Sequence, residues 1–109
     1  MKIAVGIDLG GYMTDPTVYV REMAVLVEAG FTPMEAIQAG TRVGAELLRW
    51  GDRLGTVEKG KLADLVAVPG NPLDDMKALE KVSFVMVGGH IAKTPGGREA
   101  LAGLLQKSP

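Results

Sequence analysis

Residues 42–71, RVGAELLRWGDRLGTVEKGKLADLVAVPGN, constrain the architecture most, because the hydrophobic period changes partway along the stretch. Val43, Leu47 and Leu48 fall at helical spacing, and small residues at Gly44 and Ala45 permit a close neighbour. Gly55 and Gly60 then end any helical period. The apolar run Ala63-Asp64-Leu65-Val66-Ala67-Val68 reads as a strand, closed by Pro69-Gly70-Asn71-Pro72. A chain built across this junction joins a helical part to a sheet part, so an α/β class is expected.

The residues before the junction carry the strongest local signals. Thr32-Pro33-Met34-Glu35 places an N-cap threonine, a first-turn proline and a glutamate three residues after the cap, which is a capping box. A helix is expected from there to about Trp50-Gly51. An earlier helix from Thr17 carries Val20, Met23, Ala24 and Val27 on one face, and Gly30 suits the C′ position that ends it. The opening, MKIAVGIDLGG, is apolar on both faces from Ile3 to Ile7, as in a strand covered on both sides, and it ends on Asp8.

After the junction, residues 73–79 suit one or two helical turns. A second strand over residues 82–87 is expected to turn at Gly88-Gly89 and pair back through residues 90–93. Residues 98–106 read as a short terminal helix with Leu101, Leu104 and Leu105 on one side, marginal unless docked. The divisions are 1–51, 52–94 and 95–109 within one compact unit, since 109 residues suit a single domain.

Composition narrows the chemistry. A net charge of −1 gives no reason to expect nucleic acid or an anionic membrane as partner. With no cysteine there is neither a disulfide framework nor a thiol nucleophile, and a reducing, cytoplasmic setting is expected. The opening is read as neither a signal peptide nor a membrane span. The single histidine, His90, rules out a catalytic zinc site built on two or three imidazoles of this chain. Metal chemistry here is carboxylate-based or shared with another chain.

Asp8 is the candidate catalytic group: a carboxylate at the end of a buried strand, ringed by glycines, faces a substrate mouth. The competing reading is a loop-capping carboxylate. His90, after the Gly88-Gly89 turn, reads as a surface residue, Asp74-Asp75 as caps on a helical turn, and Lys59 with Lys61 as a solvated turn.

The run EAGFTPMEAIQAGTRVGAELLRWGDRLGTVEKGKLADLVAVPGNPLDD, followed by VSFVMVGGHI, resembles the carboxyl-terminal segment of metal-dependent amidohydrolases, in the imidazolonepropionase and Xaa-Pro dipeptidase-like branch. The resemblance covers residues 3–91, and its most specific part is the spacing Gly55…Gly60-Lys61-Leu62-Ala63-Asp64-Leu65. Gly88-Gly89 stands where the family commonly has Asp-Gly. The resemblance implies a last barrel strand with its helices, then β-sandwich strands that pair with amino-terminal strands of the larger enzyme, then the terminal helix. It also implies that Gly6-Ile7-Asp8-Leu9-Gly10 corresponds to a G-T-D-A-G-like motif, with Ile7 and Leu9 replacing threonine and alanine. Asp8 would then bind a divalent metal, zinc in that family, and handle the proton of the attacking water. The family's other ligands, its histidines and bridging lysine, have no counterpart here, so this chain alone is expected to bind no metal.

The implied reaction is metal-assisted hydrolysis of an amide or cyclic amide C–N bond, by an enzyme represented here through its carboxyl-terminal portion and inactive without the rest. One alternative is a non-catalytic oligomerising module that keeps only the packing half of that inheritance. Strand edges and an apolar helix face left uncovered favour a homo-oligomer formed by exchanging strands or the terminal helix. Another alternative rests on MKIAVGIDLGG alone, which also resembles the first phosphate-binding hairpin of sugar kinases and Hsp70-type ATPases. That match stops at Asp15-Pro16, where a helix follows instead of a strand.

Overall fold

A computed structural model describes residues 1–7, 15 and 17–96. Three helices come first: α1 (Val18–Glu28), α2 (Pro33–Ala39) and α3 (Arg42–Leu47). Strand β1 (Leu65–Ala67), a 3-10 helix (Met76–Glu80) and strands β2 (Phe84–Val87) and β3 (His90–Lys93) follow. The chain is therefore α/β, with helices before the sheet as anticipated.

The local signals act as their chemistry requires. Thr32 Oγ1 accepts the Glu35 N–H at 3.2 Å while Glu35 Oε1 accepts the Thr32 N–H at 3.3 Å, closing the capping box at the start of α2. At the end of α1, Gly30 takes φ +114°. Its N–H donates to Val27 O and the Phe31 N–H donates to Leu26 O, both at 3.0 Å. These paired bonds are a Schellman motif, which meets the last carbonyls of the helix.

The helix expected to run unbroken to Trp50 is two helices. The break falls at Gly40-Thr41, where Thr41 adopts φ −130°, ψ −89°. Tyr19, on α1, meets the break: its phenol donates to the Gly40 carbonyl at 2.9 Å. A Cβ on Gly40 would stand 3.0 Å from Met23 Sδ and 3.3 Å from the Tyr19 ring. Glycine therefore lets α1 press against the junction, and a weak helix former there yields to the tertiary contact. The second helix also ends earlier than Gly51. Arg49, with φ +61°, takes the C′ position, and Trp50 N–H donates to Ala45 O at 2.9 Å.

Residues 2–7, expected as a covered strand, pair with no strand among the described residues. A strand needs at least one hydrogen-bonded neighbour, and the three strands present form a separate antiparallel sheet. The segment is held instead by Val5 N–H, which donates to Ala39 O at 3.0 Å, and by Lys2 Nζ, 2.9 Å from Glu46 Oε2.

The sheet order is β1-β2-β3, antiparallel throughout. β1 is three residues long, shorter than the run 63–68 that reads as strand. β2 and β3 form the anticipated hairpin, with Gly88 at φ +56° and Gly89 at φ +83°, the signature of a type I′ turn. The register slips between Val85 and Met86, leaving Ala92 as a bulge on β3. The hairpin is pinned from 24 residues away: Asp64 Oδ1 accepts the Gly88 N–H at 2.7 Å, and Gly89 N–H donates to Ala63 O at 3.1 Å.

The buried cluster sits among the helices. Met23, Ala36 and Met76 form its centre, with Val5, Tyr19, Val20, Leu26, Ile37 and Leu79 packed around them. No large side chain among the described residues is fully buried, whereas Leu47 and Leu48 are 73% and 70% exposed and Val66 is 62% exposed. A cleft of about 520 Å³ separates α1 and α2 from the sheet.

Candidate functional site

Asp8 lies outside the described residues, as do residues 97–109, where the terminal helix is expected. The structure does place the two ends of the stretch that carries Asp8. On the incoming side, the Val5–Ala39 hydrogen bond and the Lys2–Glu46 ion pair tie the chain to α2 and α3. Glu46 also accepts from Arg42 at 2.8 Å. The Lys2 hydrogen bond, then that from Arg42, hold the Glu46 carboxyl below its ordinary value.

On the outgoing side, Asp15 anchors the start of α1. Its Oδ1 accepts the Thr17 N–H at 2.9 Å and the Thr17 hydroxyl at 2.8 Å, and Arg21 approaches Oδ2 at 3.4 Å. The bond from the Thr17 backbone, then that from its hydroxyl, lower the Asp15 pKa. In the sequence Asp15-Pro16 reads only as a turn; the Asp-x-Thr spacing before an apolar helical run is the signal that marks the anchor. Both ends of the Asp8 segment thus rest on the helical layer around Tyr19, Gly40 and Ala39.

The remaining candidates stand apart from one another. His90 is exposed at the start of β3, opposite Val87. Asp75 caps the 3-10 helix, accepting the Lys77 N–H at 3.0 Å, as anticipated. The pairing of Lys59 and Lys61 as a solvated turn holds for Lys59 only. Lys61 is largely buried and bonds to Thr56 Oγ1 at 2.6 Å and Glu58 Oε2 at 2.9 Å, because the Gly60 turn folds its stem back on residues 56–58. The Thr56 hydroxyl, then Lys61, lower the Glu58 pKa.

Among the described residues no three His, Cys, Asp or Glu side chains come together to hold a metal ion. The described donor set alone does not fit the divalent metal that the resemblance implies. No helix among the described residues is long and apolar enough to cross a membrane.

A helical layer feeding a short antiparallel sheet through the glycine-punctuated segment 51–64 is an amidohydrolase arrangement, and the amidohydrolase family model matches residues 1–92. The chain belongs to the amidohydrolase family. It is 36% identical over 106 residues to an ochratoxinase of Aspergillus niger, covering 88% of this chain and 20% of that protein. A crystal structure of a Xaa-Pro dipeptidase with bound methionine superposes with a TM-score of 0.77 at 43% identity, over 84% of this chain and 22% of the other. A putative prolidase from Bifidobacterium longum gives 0.80 at 37% identity, over 98% and 27%. The chain thus spans about a fifth to a quarter of the length of these relatives. The match includes the opening eleven residues, which sets aside the phosphate-binding hairpin as their explanation.

Proposed function

We propose that this chain supplies Asp8 to an amidohydrolase centre that hydrolyses amide or cyclic amide C–N bonds, its remaining polar groups coming from outside this chain. The observation that carries the reading is family membership across the stretch holding Asp8, together with the anchoring of that stretch at Val5 and Asp15. The dipeptidase and prolidase neighbours favour a peptide bond of an Xaa-Pro type as the scissile amide. Residues 1–51 would then be the last barrel strand and its helices, and residues 52–94 one face of a β-sandwich.

In the resembled family a divalent metal, zinc, supplies an activated water. Asp8 acts on the proton: its carboxylate accepts one from the attacking water and returns it to the leaving nitrogen, which departs as a neutral amine. With the remaining groups supplied from outside this chain, the hydrolytic rate of the isolated chain is expected at background.

A second reading is a non-catalytic oligomerising module. Exposed Leu47, Leu48, Val66 and Val87 favour it, since scattered apolar faces of this size next to open strand edges promote self-association. Zinc-dependent hydrolysis of Xaa-Pro dipeptides, measured in an enzyme that also supplies the groups from outside this chain and compared between wild type and Asp8→Ala, separates the two. Activity lost in Asp8→Ala supports the catalytic reading, and equal background rates leave the module. Light scattering that returns a stable monomer at micromolar concentration would remove the module as well.

A further inference from the structure

We propose that the cleft between α1, α2 and the sheet is the docking site of the chain's own carboxyl-terminal segment, with Leu101, Leu104 and Leu105 inserted into it. The cleft, about 520 Å³, has apolar walls from Val20, Met23 and Ile37 on the helices and Val66 and Leu79 opposite. An open apolar cleft of this size leaves its lining without the contacts that a filled one makes.

The chain leaves the sheet at the rim of this cleft. Lys93, the last residue of β3, lines it, and its Nζ donates at 2.8 Å to the carbonyl of Val82, another lining residue. Thr94 is buried, and Gly96, at φ +92°, turns the chain immediately afterwards. The sequence beyond Gly96 is GREALAGLLQKSP, whose leucines at 101, 104 and 105 share one helical face. From Gly96 to Leu105 a helix reaches about 14 Å and an extended chain about 30 Å, so the cleft is within reach of a segment that starts at its edge.

Charge agrees with the same occupant. The rim carries Glu80 and Lys93, and the segment opens with Arg98-Glu99, one partner of opposite sign for each. A helix this short is marginal in water without a face to dock on. Docking would remove the leucines of the segment and an open apolar cleft from water together.

The chain contains no cysteine, so an introduced pair has one possible disulfide. In the full chain, Val66→Cys with Leu104→Cys should oxidise to an intramolecular disulfide at least about tenfold faster than Val25→Cys with Leu104→Cys. Val25 is half-exposed on α1 and does not line the cleft. Equal rates for the two pairs overturn the proposal, and so does a disulfide between two chains, which would assign the cleft to a second copy. Amide exchange on the unmodified chain is the independent check. Protection of residues 98–106 that Leu104→Asp abolishes supports the proposal, and amides there exchanging at the free-peptide rate refute it.

Discussion

Gly55 is held by two separable demands, and replacing it measures both. Its φ of +102° is one that side chains rarely adopt, and an added Cβ would stand 2.6 Å from Ala45 Cβ, with Arg42 Cα at 3.2 Å. The neighbouring Gly60 shares only the first demand: φ is +89° and nothing lies within 4 Å of the Cβ position. Gly60→Ala should therefore cost the backbone term alone, about 1–3 kcal/mol. Gly55→Ala should add overpacking against α3, about 1–3 kcal/mol more. Against a total stability of roughly 5–15 kcal/mol, that sum removes a large share. Urea denaturation followed by the fluorescence of Trp50 gives both values. Ala45→Gly in the Gly55→Ala background removes the methyl–methyl collision and should recover part of the difference, less about 1 kcal/mol for glycine inside α3. Equal losses for Gly55→Ala and Gly60→Ala would show that the loop does not approach α3 as described.

Two further outcomes rest on single residues. Burial raises the Tyr19 pKa, and only the neutral phenol donates to Gly40. Its contribution is fully present below the ordinary phenol value near 10 and is lost as pH rises through the elevated folded value. Melting temperatures taken between pH 8 and 11 should fall less steeply in Tyr19→Phe than in wild type, and identical slopes would contradict the assignment. Arg49→Gly places glycine at the φ of +61° that ends α3. Relief of about 1.5 kcal/mol, less about 0.7 kcal/mol of added unfolded-chain entropy, predicts a net gain of about 0.8 kcal/mol, read as a higher urea midpoint.

The features legible in the sequence are local. The Thr32–Glu35 box, the Gly30 stop and the Gly88-Gly89 turn each depend on residues within six positions of one another, and each forms as read. The features that no pattern marks join distant residues. The break at Gly40 is met by a phenol 21 positions earlier, and the hairpin is capped by a carboxylate 24 positions before it. Helical periodicity continues through residues 40–41, and Gly40 weakens the helix there without fixing that it breaks. The leading strand has the composition of a covered strand, but composition does not supply the neighbours that a strand needs, and residues 2–7 rest on α2 and α3 instead. For the candidate site, residue type and position point to Asp8, while the part of Asp15 in holding the start of α1 emerges only with its bonds to Thr17.

The buried cluster has two thioethers, Met23 and Met76, at 6% and 8% exposure, closed by the methyl of Ala36. In a chain without cysteine, these sulfurs are where peroxide would do structural harm, because a sulfoxide puts a polar group into an apolar cluster with few partners to offer it. While the helices stay closed, the sulfurs are shielded, so the rate of their oxidation tracks the fraction of time that α1 and the 3-10 helix stand apart. Oxidative ageing of this protein is thereby a clock for the breathing of its helical layer.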